Sequence, residues 1–118
     1  NAIIQNNISI ISYINKRINK YEYILVSVIS PLKKTRFLAH KKFGKNYYEV
    51  YTNCNLKELI RRDTKKLYLK AKQKKINNLI GYNSSIKYEK TRYKKIIVNT
   101  ATEKIRVSAN KILKKIDL

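Results

Sequence analysis

The side chains of this chain that could do chemistry are few and widely spaced. His40 is the sole histidine, set in "LAHKKFGK" among cations, with no acid close in sequence. A general acid or base needs a positioned partner, so His40 reads as a phosphate or base contact. It also lacks companions at metal-ligand spacing. Cys54 stands just before a helix start, where a thiolate would be favoured, yet a free cysteine is more often a small buried group. Glu49, Glu58, Asp63 and Glu89 are the carboxylates a nuclease centre would draw on. Glu58 and Asp63 are five apart on a helical pattern and do not share a face, so no two-metal cluster is visible. The sequence predicts no catalytic residue, no metal site and no cofactor.

What the chain has in quantity is positive charge. Lys and Arg number 28 against 7 Asp and Glu, a net charge of +21 in 118 residues. A compact domain so charged repels itself unless a polyanion neutralises it. The apolar fraction of 43% is that of a globular protein, not of a basic tail. Abundant Ile, Lys, Asn and Tyr fit AT-rich codons, but that bias does not explain the rarity of Glu. With 2 glycines, a Gly-rich phosphate loop is excluded by count. The longest apolar run, "YILVSVI" (23–29), is far short of a bilayer span, and nothing reads as a secretory signal. One cysteine excludes an internal disulfide. The chain opens on Asn1 without any Met, which fits removal of a segment such as an organelle transit peptide, or numbering from the first ordered residue.

The cations fall in four groups. "RRDTKKLYLKAKQKK" (61–75) offers Arg61, Arg62, Lys65, Lys66, Lys70, Lys72, Lys74 and Lys75. Acids to pair with them are scarce, which points to phosphate contacts through counterion release. A second stretch carries Lys33, Lys34, Arg36, His40, Lys41, Lys42 and Lys45. "KYEKTRYKK" adds Arg92, Tyr93, Lys94 and Lys95, and the C-terminal segment adds Lys104, Arg106, Lys111, Lys114 and Lys115. Tyr47, Tyr48, Tyr51, Tyr88 and Tyr93 are interleaved with them. Such rings stack on exposed bases or face a core, as strand aromatics commonly do.

Elements must position these groups. Ile4, Ile8, Ile11, Ile14 and Ile18 predict an amphipathic helix over 3–20. "YEYILVSVIS" (21–30) reads as a strand ended by Pro31, followed by an irregular basic stretch with a turn at Gly44. "YYEVYT" (47–52) reads as a second strand. A long basic helix is expected over 55–80, with Asn55 as cap, Glu58 in capping-box position and Gly81 as its stop. Residues 85–99 and 103–108 read as strands around the turn "TATE", and Ser108 as the N-cap of a last short helix. The expected class is α+β: a small antiparallel sheet or hairpins with two to three helices. It forms a single small basic domain over 1–118, with an N-terminal helical extension over 1–20.

"RVSANKILKKID" (106–117) resembles the strand-to-helix corner of the bacterial-type large-subunit ribosomal protein family numbered twenty-eight. "KKTRFLAHKK" (33–42) is similar to that family's basic stretch, with Ala39-His40 where the family commonly has Pro-Asn. The resemblance implies that Lys34, Arg36 and Arg106 contact ribosomal RNA and that Ser108 caps the helix. The reading is a structural constituent of a ribosome and not an enzyme. Its partners would be ribosomal RNA and neighbouring ribosomal proteins, with no membrane and no small-molecule substrate. Its place would be a mitochondrial or other organelle large subunit, the cytoplasmic ribosome being the alternative. The other readings are a small RNA-processing nuclease and a general basic nucleic-acid-binding protein. An anionic-membrane binder ranks last, because Lys16, Arg17 and Lys20 stand only at the end of the first helix.

Overall fold

The computed structural model describes residues 2–116. Among them are five α-helices: α1 (Ala2–Asn15), α2 (Lys33–Phe43), α3 (Leu56–Arg62), α4 (Leu67–Lys72) and α5 (Ile105–Lys115). A 3-10 turn (Gly44–Asn46) and two strands, β1 (Val50–Asn53) and β2 (Ile96–Asn99), complete the regular elements among the described residues, and the class is α+β. The strands pair in parallel, from Val50 opposite Ile96 to Asn53 opposite Asn99. This corrects the expected antiparallel sheet. The connection between them contains α3 and α4, a crossover, where an antiparallel pair needs only a tight turn. The expected hairpin over 85–108 does not form, because the chain after β2 turns through residues 100–103 straight into α5.

The expected long helix over 55–80 is two short ones. Asn55 caps α3 as read, its side-chain oxygen accepting the Glu58 N–H at 2.8 Å. The Glu58 carboxylate does not return to the cap, because Arg61 and Arg62 take it. The break follows at Asp63 and Lys66, whose φ values of 27° and 56° are left-handed and stop the helix. The Asp63 carboxylate then accepts the N–H groups of Tyr68 at 3.0 Å and Leu69 at 3.1 Å, restarting the chain as α4. A short acidic side chain that bonds nearby backbone competes with helix propagation.

Residues 33–43, expected to be irregular, form α2. The stretch lacks Gly and Pro and is rich in good helix formers. Thr35 Oγ1 donates to the Leu32 carbonyl at 2.9 Å, and Gly44 ends the helix at φ 55°. Ser108 does not cap α5. Lys104 occupies the N-cap position, and Ser108 lies inside the helix, its hydroxyl donating to Glu103 Oε2 at 2.7 Å. The helix expected over 3–20 ends at Asn15 and passes into turns. Residues 21–30, expected to be a strand, form no regular element and are not part of the sheet. Asp117, the end of the Ile-Asp pair, lies outside the described residues.

The apolar core is small. Ala71, Ile96 and Val98 are its buried members among the described residues. A polar hub at Arg36, 6% exposed, does the rest. Its Nη1 donates to the Ser30 carbonyl at 2.5 Å and its Nη2 to the Glu89 carbonyl. Its Nε lies 3.2 Å from Glu49 Oε1, and its guanidinium sits 4.4 Å from the centre of the Tyr88 ring. Ser30 Oγ donates to Asn7 Oδ1 at 2.7 Å and lies 3.1 Å from Thr35 Oγ1, which draws α1 into the same network. The Lys33 N–H donates to Glu89 Oε2 at 2.9 Å, and the Glu89 N–H donates to the Pro31 carbonyl at 2.8 Å. Five segments of the chain meet at one buried cation.

Removing one partner of a buried pair strands the other's charge. Arg36→Ala is expected to lower stability by about 3 kcal/mol or more, measured by urea denaturation. A loss below about 1 kcal/mol would match an exposed pair and contradict the hub.

Candidate functional site

In open α/β sheets, ligands gather beyond the carboxyl ends of parallel strands. Both loops that leave the sheet here emerge on that edge: Cys54 and Asn55 after β1, and residues 100–104 after β2. The Thr100 N–H donates to the Asn53 carbonyl at 2.9 Å, and Arg62 Nη2 donates to the Thr100 carbonyl at 2.7 Å. The end of α3 is thereby tied to the loop after β2.

The edge is cationic. Glu58 accepts from Arg61 Nε at 2.9 Å and Nη2 at 2.6 Å, and from Arg62 Nε at 2.8 Å. These contacts, the Arg61 hydrogen bond foremost, hold the Glu58 carboxyl at about 2. Asp63 is occupied by the start of α4. Four cations (Arg61, Arg62, Lys65, Lys66) against two acids (Glu58, Asp63) leave the elbow at 4 − 2 = +2. All four cations are exposed, and Arg61 keeps donors that Glu58 does not use. Such a lip can hold an anion with several oxygens in a fixed orientation.

The interior cluster is of another kind. Glu49, 9% exposed, faces Arg36 Nε and accepts from Tyr47 Oη and Thr91 Oγ1, each at 3.4 Å. The Tyr93 hydroxyl is buried beside it without a well-formed hydrogen bond. Burial, and then the neighbouring Glu49, pushes Tyr93 up to about 12 and raises Tyr47 as well. The His40 ring stacks on Tyr93 at 4.6 Å, with 6° between planes, and meets Tyr47 edge-on at 5.8 Å. Tyr51 stacks on Tyr88 at 4.8 Å. A carboxylate neutralised by Arg36 and tyrosines held protonated make a framework, not an acid–base centre. Among the described residues no group of three or more His, Cys, Asp or Glu could hold a metal ion, and no helix is long and apolar enough to cross a membrane.

The sequence-selected residues divide accordingly. Arg62 reaches the loop after β2 and shares Glu58 with Arg61; Lys65 and Lys66 stand exposed in the turn between α3 and α4, and Lys104 occupies the N-cap position of α5. Lys33, Lys34, Lys41 and Lys42 stand exposed on α2, Lys45 in the turn after it, Lys70 and Lys72 on α4, and Lys74 and Lys75 in the turn beyond. Arg36 is buried at the hub and His40 half-buried against its rings. Arg92 and Lys94 are exposed, while Lys95 reaches the Thr91 carbonyl at 3.4 Å. Arg106, Lys114 and Lys115 are exposed on α5, whereas Lys111 pairs with Glu103. The reading missed the Asn7, Ser30, Thr35 and Arg36 network. Its signal was "SPLKKTR", two small hydroxyl residues flanking a proline and closing on an arginine.

Residues 3–99 match the family model described as adenylylsulphate kinase. A cytidine diphosphoramidate kinase of Campylobacter jejuni is 35% identical over 95 residues, covering 80% of this chain and 54% of that protein. An adenylyl-sulfate kinase of Clostridium kluyveri is 36% identical over 85 residues, covering 72% and 42%. A probable adenylyl-sulfate kinase of Pyrococcus abyssi is 40% identical over 75 residues, covering 63% and 42%. The chain spans about half the length of the curated relatives it matches. No solved structure matches it.

These matches overturn the ribosomal reading. The 106–117 segment falls beyond the matched region, and 33–42 is a helix inside a kinase family's domain. With the resemblance go the structural role in a ribosome, the ribosomal RNA and protein partners, and the organelle-ribosome location. The expectations of no enzyme and no small-molecule substrate are corrected too, since the family is one of enzymes acting on small molecules. The nuclease and general nucleic-acid-binding alternatives gain no support. Net charge reports an attraction to phosphate in general and does not distinguish a polynucleotide from a mononucleotide.

A carboxyl held below its unfolded value adds stability above that value and loses it as pH falls. For Glu58 the window runs from about 4.5 down to about 2. Urea denaturation across this window is expected to show a steeper loss for the wild type than for Glu58→Gln; identical slopes would contradict the pairing.

Proposed function

The chain belongs to the adenylylsulphate kinase family, and from that premise we propose that it forms the acceptor-binding part of a nucleotide kinase. The acceptor is an anionic nucleotide whose phosphate carries a further group, such as the sulfate of adenylyl sulfate. The observation that carries this reading is the exposed run Arg61, Arg62, Lys65 and Lys66, which Arg62 ties through the Thr100 carbonyl to the carboxyl edge of a parallel sheet. Phosphoryl transfer asks a protein mainly to position two anions and to offset charge that develops between them. The elbow fits the acceptor half of that task. It presents spare guanidinium and ammonium donors while Glu58 and Asp63 fix its shape.

The donor half is not made by these residues. A phosphate-cradling loop needs two glycines five residues apart, before Lys and Ser or Thr. Gly44-Lys45-Asn46 lacks the earlier glycine and the hydroxyl, and it follows a helix where the motif precedes one. In this reading, residues 1–118 act as one module organised by Arg36, and the donor's phosphates are held by the remainder of the kinase.

Titration calorimetry with adenylyl sulfate tests the site. Arg62→Ala and Lys66→Ala are each expected to weaken binding about tenfold, since a hydrogen bond to a charged group is worth about 1.5 kcal/mol or more. Lys114→Ala, in the last turn of α5, is expected to leave binding unchanged. Equal binding of uncharged adenosine, or indifference to both elbow variants, would overturn the reading.

A further inference from the structure

Residues 56–72 contain neither Gly nor Pro, yet the helix their pattern encodes is broken. At about 100° per residue, Leu56, Leu59, Ile60, Leu67 and Ala71 fall within an arc of about 120°. They form one apolar face that stays in phase across the break. Arg61, Arg62, Lys65 and Lys66 in the gap are good helix formers. Local pattern therefore favours one continuous helix where the structure has α3 and α4.

The broken form is held by few bonds. Asp63, Lys66 and Lys74 are the non-glycine residues with positive φ among the described residues, and the first two stand in this gap. A short polar Asp tolerates left-handed backbone, whereas a Lys meets the steric cost of its Cβ there. Arg61, Arg62, Thr64, Lys65 and Lys66 are exposed, so packing does not impose the bend. The Asp63 N–H donates to the Leu59 carbonyl and the Lys66 N–H to the Asp63 carbonyl, each at 2.9 Å. Across the bend, the N–H groups of Tyr68 and Leu69 donate to the Asp63 carboxylate at 3.0 and 3.1 Å. Lys66, at the N-cap position of α4, supplies no side-chain cap of its own. Beyond the bend, α4 is seated by buried Ala71 and by Tyr68, whose ring meets Tyr82 edge-on at 5.8 Å.

We propose that the elbow is a two-state device: bent while the Asp63 carboxylate caps α4, and straight, as one helix over 56–72, when that cap is lost. The straight form places Arg61 beside Lys65 and Arg62 beside Lys66, like charges four apart that disfavour it, so helix propensity and charge pull the elbow in opposite directions. The proposal rests on the kinase reading above in one respect: the bent form, with Arg62 on the Thr100 carbonyl, is the one that receives the nucleotide. Apparent affinity then scales with the fraction of chains that are bent. An acidic residue thus strengthens the binding of an anion. Charge alone requires the opposite, because losing Asp63 takes the elbow from 4 − 2 = +2 to 4 − 1 = +3.

The test compares Asp63→Ala with Asp63→Asn in the 118-residue chain. Both remove the same charge, but asparagine keeps a side-chain oxygen for the α4 N–H groups and tolerates left-handed backbone. By NMR, Asp63→Ala is expected to show an unbroken series of contacts between residues four apart across 61–68, and wild type and Asp63→Asn an interrupted one. By titration calorimetry, Asp63→Ala is expected to bind adenylyl sulfate at least tenfold more weakly than wild type, and Asp63→Asn to recover most of that loss. Lys66→Gly, which removes the Cβ from a left-handed residue, is expected to raise the urea midpoint, and it decides independently of whether Asp63→Ala folds. The proposal is overturned if Asp63→Ala stays bent, if it binds as tightly as wild type or more tightly, if Asp63→Asn loses as much affinity as Asp63→Ala, or if Lys66→Gly leaves the midpoint unchanged or lowers it. A straightened Asp63→Ala beside a wild type that does not bind adenylyl sulfate would refute the nucleotide reading alone. Binding by wild type with Asp63→Ala still bent would refute the two-state elbow alone.

Discussion

Arg36 brings a full positive charge into the interior of a molecule that already carries a large excess of positive charge, and the fold depends on how that charge is answered. Taking an ion out of water is unfavourable by several kcal/mol unless good geometry offsets it. Here the offset comes from the Glu49 carboxylate, two backbone carbonyls and the face of Tyr88. The partners come from three separate stretches of chain, so satisfying one guanidinium fixes the relative positions of the segment ending at Ser30, α2, the 86–93 stretch and the approach to β1. With three buried apolar side chains elsewhere, the polar hub takes a part that a larger domain gives to its core.

The candidate site inherits its geometry from this hub. Glu49 sits one residue before β1, and its carbonyl accepts the Ile96 N–H at 2.8 Å. That bond starts the parallel register, which ends with Asn53 Nδ2 donating to Asn99 Oδ1 at 3.0 Å. The register brings the exits of both strands to one level, so the α3–α4 elbow and the loop after β2 share an edge. Arg62 then closes the arrangement on Thr100. The path from the buried ion pair to the exposed cations is a short run of backbone pairing with little freedom to slip, because a one-residue shift would turn Ile96 and Val98 out of the core.

Some of this was legible in the residues. Asn55 announced the start of α3 and the isoleucine spacing announced α1, whereas the strand read over 21–30 does not form. The rest turned on information that local pattern does not carry. Asp63 looked like one more polar residue on a long helix, but its carboxylate bonds forward and breaks that helix in two. Arg36 looked like a surface cation among lysines, because nothing local tells a buried arginine from an exposed one until Glu49 and Glu89 arrive from afar. Pairing direction was misread for the same reason: "TATE" was taken for a hairpin turn, whereas the pairing partner of β2 lies on the far side of α3 and α4. Run, helix, strand, helix from residue 23 to 62 was the alternation that signals a parallel sheet, and it was hidden by reading α2 as irregular.

The charge was the most conspicuous feature and the least specific. It was read as a pull toward a nucleic-acid polymer, which the family match overturns, because electrostatic attraction at this level does not encode the size of the anion. The central claim is that a particular four-cation elbow, not the cationic surface at large, receives a nucleotide. Backbone amide shifts followed by NMR during titration with adenylyl sulfate test it most directly. The expected result is saturable shifts concentrated at residues 54–66 and 100–104. Small, unsaturable shifts spread evenly over the lysine-rich faces of α2, α4 and α5 would contradict it.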